Sequence, residues 1–278
     1  MEKREPRLPL DLERAIFELV TISWPVSIPN LLLVASRVRC WVHPLLYRTL
    51  IVEAPAIDGL RRYSAKQFTH MLQTESELLK SVRNLMVDGF CTRSIDSILS
   101  ACPDLENLFL PFPRRLRASA FESVPQALRR LHCSADELIS GPLAVAYSSP
   151  LFGGITNLKM CDMLNDAEHW AVLACATLLP KLTHLAFCAF YVFWTPHLAN
   201  ILENRKDLQA LIMPRPPKYH RVIEDARFLL MPVGDSELDW QRGVLYEDNF
   251  WTRADVFIAE RIAGVHPPDA QYPFPTTL

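Results

Sequence analysis

Glycine is nearly missing from this sequence. Eight glycines among 278 residues is roughly 3%, against about 7% in an average protein. Phosphate-cradling loops need glycines clustered at fixed spacing so that the backbone can approach the anion. The one adjacent pair, Gly153-Gly154, has no Lys-Ser/Thr after it, so nucleotide binding is not expected. Charge imbalance is missing too. A formal net charge of −2 gives nothing to steer the chain toward nucleic acid or an anionic membrane. The short basic runs Arg114-Arg115-Leu116-Arg117 and Lys218 to Arg221 read as solvated surface.

The seven cysteines form no C-x-x-C pair, and Met1 to Arg7 is charged and broken by proline rather than apolar. No signal peptide is expected, and the thiols read as reduced, in a cytoplasmic or nuclear protein. The longest apolar run, Leu182 to Trp194, is too short to span a bilayer. His132, His169, His184 and His197 have no H-x-x-H or H-E-x-x-H spacing, and no G-x-S-x-G elbow exists. No catalytic residue, cofactor or metal is expected, and a hydrolase using a thiol and a histidine is the weakest of three readings.

Proline is plentiful, 22 residues, and it punctuates the first fifty positions. Leu8-Pro9 enters a helical pattern in which Leu12, Ile16 and Leu19 share one face. Pro25 and Pro29 break it. Leu31, Leu32, Val34, Val38, Trp41 and Val42 resume it, and His43-Pro44 ends it. Leu45 to Val52 leads into an extended segment. Short amphipathic helices cannot bury all of this surface by themselves. Each large apolar side chain left in water forgoes about 1.5–3 kcal/mol, so the rest of the chain or a partner must cover it.

Leu8-Pro9, Ile16, Leu19, Leu31-Leu32-Leu33-Val34, Val38, Trp41 and the closing Pro44-Leu45-Leu46-Tyr47 resemble an F-box, most closely the F-box-like variants expanded in fungi. The linker from Thr21 to Ile28 is longer than the family's usual Asp-rich turn. The resemblance implies docking on the Skp1-like adaptor of a cullin ubiquitin ligase through Leu8, Pro9, Leu12, Ile16, Leu19, Val34, Val38 and Trp41. Without it, the same helices read as a cap sealing the remainder of the chain.

That remainder is repetitive. The pattern apolar-x-x-Leu-x-apolar recurs six times, from Val82, Leu105, Leu128, Ile155, Leu182 and Leu208. The central leucines 85, 108, 131, 158, 185 and 211 are spaced by 23, 23, 27, 27 and 26 residues. Ala226 to Met231 reads as a seventh, degenerate copy, centred on Leu229. Alternation puts each central leucine and the residue two later on the buried face of a short strand. Helix-compatible stretches lie between strands at Ser94–Ala101, Arg115–Val124, Ala167–Leu178 and Pro196–Glu203. A strand and a helix in 20–29 residues resembles the leucine-rich repeat, whose core is continuous because neighbours stack.

The expected fold class is therefore α/β, with a short helical F-box-like motif leading an irregular leucine-rich-repeat-like solenoid of parallel strands and helices. The expected organisation is an F-box-like motif at 1–53, a linker with a helix at 54–80, the repeat array at 81–265 and a proline-rich tail at 266–278. The outward neighbours of the leucines predict a concave protein-binding face. It holds Met86, Phe109, His132, Lys159, Ala186 and Ile212, with Arg130 and His184 beside them, and Asn84, Asn107 and Asn157 in the same row. Cys133, Cys161 and Cys188, at corresponding strand ends, read as core positions. The expected function is substrate recognition in a ubiquitin ligase of the Skp1–cullin–F-box type. The alternative is a repeat scaffold that holds a protein partner without any ligase.

Overall fold

The computed structural model describes residues 8–88, 95–110, 125–133, 150–161, 179–188, 195–214, 223–231 and 234–267. The expected helices at Arg115–Val124 and Ala167–Leu178, and the tail beyond 267, lie outside the described residues.

Proline sets the first helix: Pro9, with extended backbone, precedes α1 (Leu10–Ser23), where its missing N–H costs nothing. A 3-10 turn at Pro25–Ser27 leads to α2 (Ile28–Leu31) and α3 (Ser36–Val42), and a second 3-10 turn, His43–Tyr47, comes after the break at His43-Pro44. Ile28, Val38 and Val42 form a small core, packed by Phe17, Leu31, Leu32, Trp41 and Leu46. Arg37 ties α3 back to Glu13 of α1 at 2.7 Å.

The chain then enters one mixed sheet-and-helix body. Its elements are β1 (Thr49–Val52), β2 (Arg62–Tyr63), α4 (Ala65–Thr74), α5 (Ser76–Leu79), β3 (Asn84–Val87), α6 (Ile95–Ala101), β4 (Asn107–Leu110), β5 (Arg130–Cys133), α7 (Pro150–Gly153), β6 (Asn157–Met160), β7 (His184–Phe187), α8 (Thr195–Asn204), β8 (Ala210–Pro214), β9 (Phe228–Met231), α9 (Ser236–Tyr246) and α10 (Phe250–Ile262). The nine strands form a single all-parallel sheet in the order β2-β1-β3-β4-β5-β6-β7-β8-β9. Only β2 departs from chain order, closing the edge outside β1. Among the described residues no helix is long and apolar enough to cross a membrane.

Leu50, Leu85, Leu108, Leu131, Leu158, Leu185 and Leu211 stand directly opposite one another along the sheet. All are buried in one continuous core, with Phe68 and Met71 of α4, Ile98 and Leu99 of α6, and Leu198 and Leu202 of α8. Each such side chain contributes about 1.5–3 kcal/mol by leaving water. Ser64 starts α4 with a capping box to Gln67, which satisfies N–H groups that a helix start leaves open.

The turns repeat as faithfully as the leucines. The carbonyl just before each strand, at Arg48, Arg83, Glu106, Arg129, Thr156 and Thr183, accepts two successive N–H groups from the next unit. That ladder reaches back to Arg48, so β1 belongs to the series although the sequence reading assigned it to the N-terminal motif. The 54–80 stretch contains a helix where one was expected, α4 (Ala65–Thr74), and adds β2 and α5. Residues 236–262, within the stretch expected to be repeat array, form the two helices α9 and α10.

The seventh copy is corrected by one residue. Leu211 pairs with Phe228 and Ile212 with Leu229, so Phe228 and Leu230 join the leucine core while Leu229 turns to the opposite face. Four consecutive apolar residues, all buried, carry no alternation from which a register could be read.

Candidate functional site

Two surfaces and one side-chain cluster carry the chemistry. The first surface is the outward face of α1. Leu8, Pro9, Leu12, Ile16 and Leu19 are all exposed, Leu19 to 65%, and Val34 is exposed beside them. The stripe that sequence periodicity picks out is thus the one facing solvent, because Phe17 and Thr21, four apart on the other side, face the small helical core. Trp24 at 62% and Leu33 at 84% exposed enlarge the patch. Neither is predicted by helical periodicity, since Trp24 sits after the helix and Leu33 in a turn.

Two of the eight expected docking residues are elsewhere. Val38 is fully buried and Trp41 half-buried. Val38 and Val42 are one helical turn apart on the inner side of the short α3, and Trp41 packs against that core, so this pair holds the helices together.

The second surface, the expected concave face, is closed. Met86, Phe109, His132, His184 and Ile212 are all buried, as is Ala186. Helix α9 lies over Ile51, Met86 and Phe109 through Trp240, and α10 lies over Ala186, Ile212 and Leu229 through Trp251, Ala254, Phe257 and Ile258. Three polar residues of the face find partners on the same helices. Trp240 Nε1 donates to Asn107 at 2.9 Å, Lys159 Nζ donates to Ser236 Oγ at 2.8 Å, and His184 Nε2 meets Asp255 Oδ1 at 2.8 Å. Gln241 bridges to Pro55 O and Ile57 N. Of the residues expected to bind a partner, only Arg130 is exposed and Lys159 half-buried. The signal for closure was in the sequence, since Met86, Phe109, Ala186 and Ile212 make the second face of the strands apolar too, as a doubly covered parallel sheet requires.

The lid is built locally. Asp235 caps α9 by accepting from Glu237 and Leu238 N–H, and Asn249 caps α10 in a capping box with Thr252. At Gly243 a Cβ would stand 2.6 Å from the Asn249 Cβ. Only glycine lets α9 approach the cap of α10 this closely.

The cluster lies where this face meets the C-terminal ends of β5, β6 and β7. His132, Cys161 and Cys188 bring their ligand atoms within 4.8 Å of one another, and Cys188 Sγ donates to Cys161 Sγ at 3.1 Å. Hydrogen bonding to Cys188 and burial push the Cys161 thiol above its ordinary value. Burial, reinforced by the Lys159 charge, holds His132 well below 6.5, as a neutral imidazole. A nucleophilic thiol needs the opposite shift, toward thiolate. Cys133 sits on the other side of the strand, in the leucine core, as the sequence reading has it.

No protein-family model matches the chain. No curated protein matches it either.

Proposed function

We propose that this chain is the substrate-recognition subunit of a ubiquitin ligase of the Skp1–cullin–F-box type, holding a Skp1-like adaptor through its N-terminal helices. One observation carries the reading: the apolar stripe Leu8, Leu12, Ile16 and Leu19, with Val34, faces solvent on helices that already have their own core. Four or five such side chains left in water cost several kcal/mol, and a patch of this kind marks an interaction surface. The resemblance of this segment to an F-box gives the partner its identity.

The remainder reads as an irregular leucine-rich-repeat-like solenoid. The in-register leucines, the near-constant spacing and the recurring double acceptor before each strand support it. A protein target then meets the outer side of α9 and α10, where Tyr246, Val256, Ile262 and Val265 are exposed, with Arg130 at the margin, rather than the sheet residues beneath.

The burial of Val38 and Trp41 favours the alternative, a scaffold whose helices cap the sheet edge without any ligase. Replacing Leu12, Ile16 and Leu19 together with serine separates the two. Capture of a purified Skp1-like adaptor should be lost while the thermal melt is unchanged, because all three side chains are exposed. Undiminished capture by that variant would end the ligase reading.

A further inference from the structure

Parallel strands in register bring unlike sequence positions side by side. His132 stands level with Lys159 and Ala186, and the ladder runs one bond further, with Cys161 N–H on Cys133 O and Cys188 N–H on Met160 O. Cys161 and Cys188 are therefore neighbours on adjacent strands, two residues beyond Lys159 and Ala186, and their side chains leave the sheet on the same side as that of His132. Three soft or borderline donors from three consecutive strands converge at one point, on a scaffold whose backbone is fixed by its hydrogen bonds.

The imidazole is the telling member. His132 is only 6% exposed, and neither ring nitrogen forms a hydrogen bond among the described residues; its ring lies against that of Phe109, 3.9 Å between centroids and tilted by 48°. A nitrogen of this ring lies within 4.8 Å of both thiol sulfurs. The cation that competes for the place, the Lys159 ammonium, is engaged by Ser236 Oγ at 2.8 Å and by the Phe250 ring at 4.4 Å.

We propose that His132, Cys161 and Cys188 bind one Zn²⁺ ion, with a fourth coordination position left for water or an incoming ligand. Thiolate and imidazole are the donors that zinc selects over hard cations. Two thiolates balance its charge, and the two thiol protons go to solvent on binding. The geometry needs little adjustment. Three atoms with no separation above 4.8 Å lie within about 2.8 Å of a common centre, so shifts of about 0.5–0.8 Å reach zinc bond lengths of about 2.0–2.3 Å. A pure core role accounts for Cys133, which faces the leucines. It does not account for an imidazole without a hydrogen bond among the described residues that lies beside a sulfur pair.

The test uses the whole chain, reduced and stripped with a chelator, and titrated with Co²⁺ and then Zn²⁺. One Co²⁺ per chain should bind with thiolate-to-cobalt charge-transfer absorption and the visible bands of a tetrahedral site, and Zn²⁺ should bleach both. Cys161→Ser and Cys188→Ser should abolish those bands, His132→Gln should weaken binding by roughly tenfold or more, and Cys133→Ser should leave them unchanged. Circular dichroism of each variant checks the fold. Independently, Zn²⁺ should protect Cys161 and Cys188 of the unaltered chain from alkylation, as mapped by mass spectrometry. Absence of thiolate–cobalt bands, their survival in Cys161→Ser, or a Cys161–Cys188 disulfide that forms equally with zinc present would each overturn the proposal.

Discussion

Leu131 and Phe109 sit on neighbouring strands and face opposite ways, one into the leucine core and the other under Trp240. Both are buried, so both are costly to truncate. Leu131→Ala should destabilise by about 2–5 kcal/mol and Phe109→Ala by about 3–5 kcal/mol, each the sum of lost transfer energy and a cavity. Had the second face been open, Phe109→Ala would stay within about 0.5 kcal/mol. Denaturant melts of the two variants decide it, and a near-neutral Phe109→Ala would mean that α9 does not cover the sheet in solution. The leucine's role was legible because period-two alternation and a spacing of 23 to 27 residues both mark it. The role of Phe109 was not, because its cover, Trp240, is 131 positions further along the chain, and nothing near Phe109 announces it.

Successive strand units are also clamped by arginines that reach across the turns. Arg227 Nη1 donates to the carbonyls of Arg205 and Leu208, and its Nη2 to that of Leu202, at the end of α8 and the turn beyond it. Arg205 does the same one unit earlier, with Leu179 O and Leu182 O. Removing Arg227 leaves three carbonyls without that donor, so Arg227→Ala should cost roughly 1–3 kcal/mol. Its carboxylate partner adds a pH dependence. Burial opposes ionisation of Asp225, but the side-chain and backbone hydrogen bonds from Arg227 outweigh it and hold the group below 3.8. A carboxyl depressed by folding contributes stability that is complete above its unfolded value and fades as pH falls through its folded one. Melts between about pH 5 and pH 2 should therefore fall less steeply in Asp225→Asn than in the parent. Equal slopes would show that Asp225 is not held by Arg227 in solution. These clamps join residues about two dozen positions apart with no periodicity of their own. The sequence therefore exposes the strands and hides what locks them together. The same limit hid the last register, where Phe228 to Met231 offers four apolar residues and no alternation.

For the whole molecule, the C-terminal helices are a structural layer and not an appendage. Gln241 bonds to Pro55 O and Ile57 N, and Trp240 to Asn107, so α9 closes over strands laid down at the start of the sheet. The first strands and the last described helices therefore belong to one folding unit. Beneath α9 and α10 lie Ile51, Met86, Phe109, Ile212 and Leu229. Exposing five large side chains at about 1.5–3 kcal/mol each forfeits an amount comparable to the entire stability of a typical domain, about 5–15 kcal/mol. A chain ending at Met231 should accordingly lose its cooperative melt and bind a hydrophobic dye strongly, although it keeps the whole leucine ladder. The serine substitutions on α1 should do neither, since those side chains cover nothing. A sheet that held its shape by stacking alone would leave the shortened chain melting cooperatively and free of dye. That result would make α9 and α10 a removable lid, and would restore Met86, Phe109, His132 and Ile212 as candidates for contact with a partner.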